Sequence, residues 1–250
     1  MSIHVLDVHQ HSGPWPFCAK TGGIELNLEL MHRRGIDTAI ISSARAILED
    51  CTIGNAELAR DLEGHTNLYG YVVVNPNLPE VTQVEIKRYA DNPRFVGFKV
   101  HSNYAGCSIG DARMVTLLDV LAPLAKPVLL HTWGAGEVLA LQHQAERHPG
   151  LSLIMAHAGA DAWRVAIQSA QKCANLYLDF TSSTPYSGAL QRAVDVLGPG
   201  QVLLGTDSTL FDPLYMLAQF QRLDISDKER GLIMAGNAQR IFNLATDSGG

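Results

Sequence analysis

The feature of this 250-residue sequence that most constrains its fold is a repeated alternation of short apolar runs with helical patterns. A short apolar run is typical of a buried strand, whereas apolar residues three and four positions apart are typical of a helix packed on a sheet. We predict eight strands, at residues 5–11, 38–41, 68–74, 95–101, 127–131, 151–157, 176–180 and 201–207. A helical pattern follows each strand.

Eight strand–helix units in a chain of this length indicate an α/β protein, a (β/α)8 TIM barrel, with residues 1–250 forming a single domain. An open, doubly wound parallel sheet is the competing architecture, because it also places its loops at the carboxyl ends of the strands. Its nucleotide-binding versions carry Gly-x-Gly-x-x-Gly or Gly-Lys-Ser/Thr after a strand. Neither motif occurs in this sequence, so the barrel is favoured.

The composition argues against several kinds of partner. Hydrophobic residues make up 46% of the chain and charged residues 18%, and the formal net charge is −6 with both signs interspersed. Such a chain favours a small-molecule substrate over nucleic acid or an anionic membrane. We find no export signal and no apolar run near the ~20 residues that span a bilayer. The four cysteines form no Cys-x-x-Cys pair, which indicates a reducing, cytoplasmic location.

Two histidines end the first predicted strand. His9 and His11 are separated by one residue, so both imidazoles project from the same side of an extended backbone. A neutral imidazole is a common ligand of transition metals, and two of them leave coordination positions to be filled from elsewhere. A single His-x-His pair is weak evidence, and the remaining ligands must be found along the chain.

Three further polar residues lie at the carboxyl ends of predicted strands. His131 ends the fifth strand, His157 the sixth and Asp207 the eighth. In a barrel these ends meet at one mouth, where active sites are built. Imidazoles with one carboxylate suit zinc, manganese, iron or cobalt better than calcium or magnesium. We therefore predict a divalent transition-metal site, with zinc preferred and manganese as the alternative.

Taken in order, these segments resemble the amidohydrolase superfamily, and within it the amidohydrolase-2 group of metal-dependent hydrolases and decarboxylases. The resemblance spans nearly the whole chain. Its motifs are Asp7-Val8-His9-Gln10-His11, Gly97-Phe98-Lys99-Val100-His101, Leu130-His131, Ala156-His157-Ala158-Gly159, Gly205-Thr206-Asp207 and Gly236-Asn237-Ala238-Gln239-Arg240-Ile241-Phe242.

This resemblance implies that His9, His11, His131 and Asp207 bind one divalent metal. It implies that His157 lies beside the metal as a proton donor or acceptor, or as a ligand if a second metal binds. Asp207 could accept a proton from a metal-activated water and deliver it to the leaving group, and His157 could stabilise an oxyanion.

Lys99 and His101 share one face of the predicted fourth strand. Some superfamily members carry a carboxylated lysine on that strand, where it bridges two metals. The amidohydrolase-2 group resembles a mononuclear type, so the resemblance favours a substrate-anion contact or a structural role for Lys99. For His101 we expect substrate contact or support of the metal site.

Further substrate-binding candidates follow the strands. Trp15, Phe17, Tyr104 and Trp133 could line the site, with packing as the alternative. Arg45, after the second strand, could bind a substrate carboxylate, although an exposed arginine is the ordinary interpretation. The remaining histidines precede strands or lie on helices and are predicted at the surface; they are His4, His32, His65, His143 and His148.

The function that these predictions favour is a metal-dependent hydrolase acting on an amide, lactone or ester bond of a small molecule. The alternative is a metal-dependent, non-oxidative decarboxylase of an aromatic or unsaturated carboxylic acid, and a hydratase is a third. A non-catalytic metal- or ligand-binding barrel is disfavoured, because it would have little reason to hold the complete polar set. The sequence leaves open whether the chain forms a homo-oligomer.

Overall fold

The computed structural model describes residues 3–17, 21–181, 186 and 188–245, and it contains eight parallel strands in the order of the chain. The TIM barrel prediction is therefore confirmed, and each predicted strand is present. The strands are β1 (Leu6–Ser12), β2 (Thr38–Ser43), β3 (Leu68–Val73), β4 (Phe95–Val100), β5 (Val128–Trp133), β6 (Leu153–Gly159), β7 (Leu176–Asp179) and β8 (Val202–Leu203).

Helices connect the strands on the outside of the barrel. Those assigned as α-helical in the described residues are α1 (Ile24–Arg34), α2 (Ala44–Leu48), α3 (Cys51–Asp61), α4 (Pro79–Tyr89), α5 (Ser102–Ala105), α6 (Ala112–Leu121), α7 (Ala135–Arg147), α8 (Trp163–Lys172), α9 (Ala189–Leu197), α10 (Leu214–Gln221), α11 (Asp227–Gly231) and α12 (Asn237–Phe242). Within the described ranges, no helix has the length and apolar character needed to cross a membrane.

The first strand meets the last, which nearly closes the barrel. The Val8 amide donates to the Leu204 carbonyl at 2.9 Å, and the Asp207 amide donates to the His9 carbonyl at 2.8 Å. Because β8 itself is short, this contact continues into the residues that follow it. The meeting of the two chain ends thus brings residues 9 and 207 side by side.

The Asp7 carboxylate strengthens this junction. Its Oδ1 accepts hydrogen bonds from the backbone amides of His9 at 3.0 Å and Thr206 at 3.1 Å. Its Oδ2 accepts from the Thr206 hydroxyl at 2.5 Å and from Gln10 Nε2 at 2.8 Å. Burial raises the pKa of Asp7 to about 7 although these hydrogen bonds lower it. One side chain therefore fixes the backbone beside both His9 and Asp207.

The two largest apolar regions provide most of the packing that stabilises the fold. The larger lies between the sheet and the helices, and the smaller fills the barrel interior. α12 packs against the interior region through Ala238 and Phe242, and the Phe242 ring lies 5.9 Å from the Tyr71 ring. The Tyr71 hydroxyl in turn donates to the Val8 carbonyl at 2.7 Å. Apolar side chains thus fill this end of the barrel interior. The polar side chains of the interior lie at the opposite end, where the strands have their carboxyl ends.

Gly54 allows α2 and α3 to approach closely, and this contact gives a test of the packing. A Cβ atom at residue 54 would lie 2.2 Å from the Ala46 amide nitrogen. We expect Gly54→Ala to lower the free energy of unfolding by roughly 2–3 kcal/mol, because backbone atoms must move. A Cβ atom at Gly136 in α7 would meet nothing within 4 Å beyond its own helix backbone, so Gly136→Ala should be neutral or slightly stabilising. Denaturant unfolding of both variants measures the difference, and equal effects would contradict the packing.

Candidate metal centre

The structure brings three of the predicted ligands together. One ligand atom from each of His9, His11 and Asp207 lies within 4.8 Å of the other two, and all three residues are buried. His11 Nε2 is 3.0 Å from Asp207 Oδ1, and His9 Nε2 is 3.7 Å from the same oxygen. Two nitrogens and a carboxylate oxygen at this spacing form a donor set that suits a divalent transition metal.

A β-bulge directs the two histidines of β1 into the barrel. Between Asp7 and Gln10, β1 contains one residue more than its partner β2. An extra residue changes the face on which the following side chains project. Val8 belongs to the interior apolar region, and beyond the bulge His9 and His11 face inward instead. From the sequence, side chains of β1 are expected to alternate strictly between the two faces of the sheet. In the structure this alternation is interrupted between Asp7 and Gln10.

A second irregularity occurs in β6. Between the pairs that join β6 to β5 at Ala156 and Gly159, β6 again contains one extra residue. His157 lies in this stretch with a φ of 62°, in the left-handed region that is uncommon for a residue with a side chain. Asp207 has a φ of 61°. Such unfavourable backbone conformations concentrate at functional sites, where the surrounding structure stabilises them.

His9 is held by a carboxylate that was not among the residues predicted from the sequence. Its Nδ1 lies 2.6 Å from Asp179 Oδ2, at the end of β7. The other oxygen of Asp179 accepts from the Thr181 amide at 2.9 Å and from the Thr181 hydroxyl at 2.6 Å. With Nδ1–H donated to Asp179, the lone pair of His9 is on Nε2, which lies 3.2 Å from Lys99 Nζ and 3.7 Å from Asp207 Oδ1. Asp179 is the last residue but one of the predicted strand at 176–180, so a search for polar residues near strand ends would have found it.

Gly205 makes room for this carboxylate. A Cβ at residue 205 would lie 2.3 Å from Asp179 Oδ1 and 2.4 Å from Thr181 Oγ1. Neither atom can move without losing the hydrogen bonds that orient Asp179. The glycine in the Gly205-Thr206-Asp207 motif is therefore required by side-chain packing.

Burial favours the neutral, metal-binding form of the β1 histidines. It lowers the pKa of His9 well below its ordinary value, and nearby Lys99 lowers it further. Burial also lowers the pKa of His11, although Asp207 opposes the shift. The Ser42 hydroxyl, 2.8 Å from His11 Nδ1, can donate or accept and so accommodates either tautomer. Burial disfavours ionisation of Asp207, yet the neighbouring imidazoles outweigh it and hold its pKa below the usual range.

His157 and His131 contact each other beside these three residues. His157 Nδ1 lies 2.7 Å from the Thr181 carbonyl, which can only accept, so Nδ1 carries the proton. Its Nε2 is 3.0 Å from His131 Nδ1. This pair of nitrogens can share a proton or face a cation. The close group of three ligand atoms found in the described residues does not include His131, the fourth ligand implied by the resemblance.

Lys99 is fully buried next to the candidate ligands. Its Nζ is 3.2 Å from His9 Nε2, and it forms no ion pair with the described part of the chain. Burial lowers the pKa of Lys99 to about 8, while Asp207 and Asp179 act in the opposite direction. Lys99 is therefore a cation without a directly paired carboxylate, inside the site.

These groups form the floor of a cavity of about 650 Å³. Of the predicted substrate-binding residues, the structure places Lys99, His101, Tyr104, Trp133 and Trp15 in its lining. Phe17, also named from the sequence as a possible lining residue, lies there too. The lining residues that were not anticipated are Asn103, Leu210 and Phe211, and the candidate metal and catalytic residues complete the lining.

An arc of six rings runs around this cavity. Neighbouring centroids are 3.9–6.1 Å apart, with His101 stacked on His131 at the shortest of these distances. In order the rings are Phe17, Trp15, Tyr104, His101, His131 and Trp133. His101 also accepts a hydrogen bond from the Tyr104 amide at 3.4 Å, so it positions the start of α5 as well as lining the cavity.

The structure does not bring Arg45 to this cavity. Its guanidinium pairs with Glu57 at 2.6 Å and with Glu49 at 3.1 Å, beside a separate surface depression. The proximity of Arg45 to a strand end was misleading because α2 begins immediately and carries the side chain outward. None of the five histidines predicted at the surface lines the cavity; His32 and His143 are exposed and the other three half-buried.

Comparison with protein families agrees with this arrangement. The family described as Amidohydrolase (Amidohydro_2) matches residues 7–244. This chain belongs to that family. The resemblance inferred from the motifs is thus confirmed, and the chain is a member of the amidohydrolase superfamily of enzymes. No curated protein matches the sequence.

Solved structures of this superfamily share the fold. A dihydroxybenzoic acid decarboxylase from Polaromonas sp. JS666, with bound manganese and 2-nitroresorcinol, is 18% identical over 97% of this chain and 98% of its own, with a TM-score of 0.78. A 5-carboxyvanillate decarboxylase from Sphingomonas paucimobilis is 15% identical over 98% and 100%, with a TM-score of 0.75. A Burkholderia multivorans amidohydrolase with bound zinc is 16% identical over 97% and 100%, with a TM-score of 0.77. Such identities establish the barrel alone.

The contacts of Asp179 predict its effect on metal binding. An asparagine at residue 179 has one acceptor oxygen, so it cannot accept from both His9 and Thr181 as the carboxylate does. We expect Asp179→Asn to weaken Zn²⁺ or Mn²⁺ binding about 10- to 100-fold. Competition with a chromophoric chelator measures this affinity.

Asp195→Asn is the matched control, because Asp195 is exposed on α9 and accepts only from Gln191 in the described contacts. Thermal unfolding of both metal-free variants separates weaker binding from misfolding. Equal metal affinity for a folded Asp179→Asn protein and the parent would show that Asp179 does not support the site.

Proposed function

We propose that this amidohydrolase-superfamily member is a metal-dependent, non-oxidative decarboxylase of an aromatic carboxylic acid. The observation that carries the proposal is a cavity with aromatic walls, whose floor holds a buried lysine beside three candidate metal ligands. Among the described residues, this lysine forms no ion pair with a carboxylate. Two of the similar solved structures are named as decarboxylases of aromatic acids. This function was the alternative inferred from the sequence, and it fits the cavity better than hydrolysis does.

The two parts of the cavity match the two parts of such a substrate. A flat ring can stack on Trp15, Tyr104 or Trp133, since offset and edge-to-face aromatic pairs are favourable at these spacings. Its carboxylate can reach the floor, where Lys99 offers a positive charge in a setting of low dielectric constant. A neutral ester or amide would leave that charge without a partner.

The residues that would hold the metal are His9, His11 and Asp207, with His131 as the fourth ligand implied by the family. We propose zinc or manganese, because nitrogen donors with one carboxylate suit both. When bound there, a divalent cation supplies an electrophile that attracts electron density from the oxygen atoms of the acid.

Decarboxylation breaks the bond between the ring carbon and the carboxylate carbon. Carbon dioxide leaves without the bonding electron pair, which stays at the ring carbon and takes up one proton. Asp207 and His157 are the floor residues that we assign to carry this proton, since both can exchange it at the cavity surface. Asp179 and Thr181 act indirectly, by orienting His9 and His157.

Hydrolysis of a small lactone, ester or amide is the second candidate. It is favoured by the same neighbourhood of Asp207 and His157, which could take a proton from water and return it to a leaving group. The two candidates differ in where that proton finishes, on carbon for decarboxylation and on oxygen or nitrogen for hydrolysis.

This difference provides the decisive experiment. The metal-loaded protein is incubated in D2O with hydroxylated aromatic acids, and separately with lactones and esters. We expect loss of CO2 and one deuterium at the ring carbon that carried the carboxylate, detected by NMR. Asp207→Asn should lower this rate about 100-fold or more. Cleavage of the lactones or esters without any decarboxylation would instead establish the hydrolase.

Lys99 gives a second prediction. Lys99→Met keeps the length of the side chain and removes its charge, so the affinity for the acid should fall about 30-fold or more. Lys126→Met is the control, because Lys126 is half-buried at the other end of the barrel and donates to the Phe95 carbonyl at 2.6 Å. Equilibrium dialysis measures binding in both variants. Unchanged affinity in Lys99→Met would remove Lys99 from the substrate site.

A further inference from the structure

The cavity is larger than a single-ring acid requires. A water molecule, which has one non-hydrogen atom, occupies about 30 Å³ in the liquid, and covalently bonded atoms occupy less. A hydroxylated benzoic acid of about ten such atoms therefore fills at most about 300 Å³. The cavity measures about 650 Å³, so an acid held at the floor leaves at least about half of it unfilled. A catalytic cavity normally encloses most of the surface of its ligand.

The outer part of the cavity has a different character from the floor. Its charged lining residues, Lys99 and Asp207, both belong to the floor, and Asn103 adds one neutral amide. The remaining side chains of the described lining that are not histidines are aromatic or aliphatic. A ligand group that leaves the floor therefore meets apolar surface.

Three of these rings form a continuous patch, which we call the rim patch: Trp15, Phe17 and Tyr104. The Trp15 and Phe17 centroids are 6.0 Å apart with planes at 26°, and the Trp15 and Tyr104 centroids are 5.9 Å apart with planes at 37°. Trp15 also contacts the His11 ring at 4.9 Å, so the patch begins at a candidate metal ligand.

The rim patch extends from the buried floor to solvent. Trp15 is 8% exposed, whereas Tyr104 is 45% and Phe17 is 50% exposed. Exposed rings that adjoin a ligand cavity are unfavourable in water and typically mark a binding surface. Their faces offer the area that a second flat group would cover.

We propose that the substrate carries a second ring, or a flat apolar group of similar size, that lies against the rim patch. The inference rests on the proposed function, because it takes the acid group to lie at the floor. A two-ring acid of about fourteen non-hydrogen atoms needs at most about 420 Å³ and so fits the cavity.

The test compares 2-hydroxybenzoate with 1-hydroxy-2-naphthoate, which has the same acid and hydroxyl groups and one more fused ring. Equilibrium dialysis against the metal-loaded protein measures each affinity without requiring turnover. We expect the naphthoate to bind about tenfold tighter. Phe17→Ala and Tyr104→Ala should each weaken binding of the naphthoate about three- to tenfold more than they weaken binding of the one-ring acid.

Leu139→Ala is the control, because Leu139 is 47% exposed on α7 and does not line the cavity. Equal affinities for the two acids, or no binding of either, would overturn the proposal. The proposal would also be overturned if Trp133→Ala abolished the preference for the naphthoate while Phe17→Ala and Tyr104→Ala kept it. The second ring would then lie against Trp133 and not against the rim patch. Tight naphthoate binding without loss of CO2 would contradict the decarboxylase alone, and decarboxylation without a size preference would contradict the second ring alone.

Discussion

The hydrogen-bonded junction between β1 and the residues after β8 determines the geometry of the candidate metal centre. The Asp7 carboxylate accepts the amides of His9 and Thr206, and the Asp207 amide donates to the His9 carbonyl. A carboxylate buried in this way is stable only while its donors stay in place, since an unsatisfied buried charge is costly. The requirement to keep Asp7 satisfied therefore also keeps the ligands from the two ends of the chain at a fixed separation.

The supporting residues extend this constraint from the backbone to the imidazole rings. Asp179 fixes the tautomer of His9, and the Thr181 carbonyl fixes that of His157. Gly205 leaves the space in which Asp179 lies. Because His9 and His157 each have one tautomer that satisfies these hydrogen bonds, this part of the site is organised before any ligand enters. Preorganisation of this kind is how a buried site lowers the cost of binding and of charge development.

Much of this architecture could be predicted, because two periodic signals are strong in the sequence. Apolar runs alternating with helical patterns indicated the barrel, and polar residues at strand ends indicated His9, His11 and Asp207. The bulges in β1 and β6 could not be found in this way, since an extra residue changes side-chain direction without changing the apolar pattern. The suggestion that Arg45 binds a substrate carboxylate failed for a related reason. The position of a residue shortly after a strand does not give the direction of the helix that follows.

The centre also has a consequence for how the protein is made. One side of it is contributed by residues 7–11 and the other by residues 204–209, so nearly two hundred residues separate the groups that must meet. During synthesis the amino-terminal histidines leave the ribosome long before Asp207 exists, and the nascent chain offers an incoming ion an incomplete set of donors. A metal ion held by this donor set would therefore be bound tightly only by the folded barrel, in which residues 204–209 have joined β1, and not by the His-x-His segment alone.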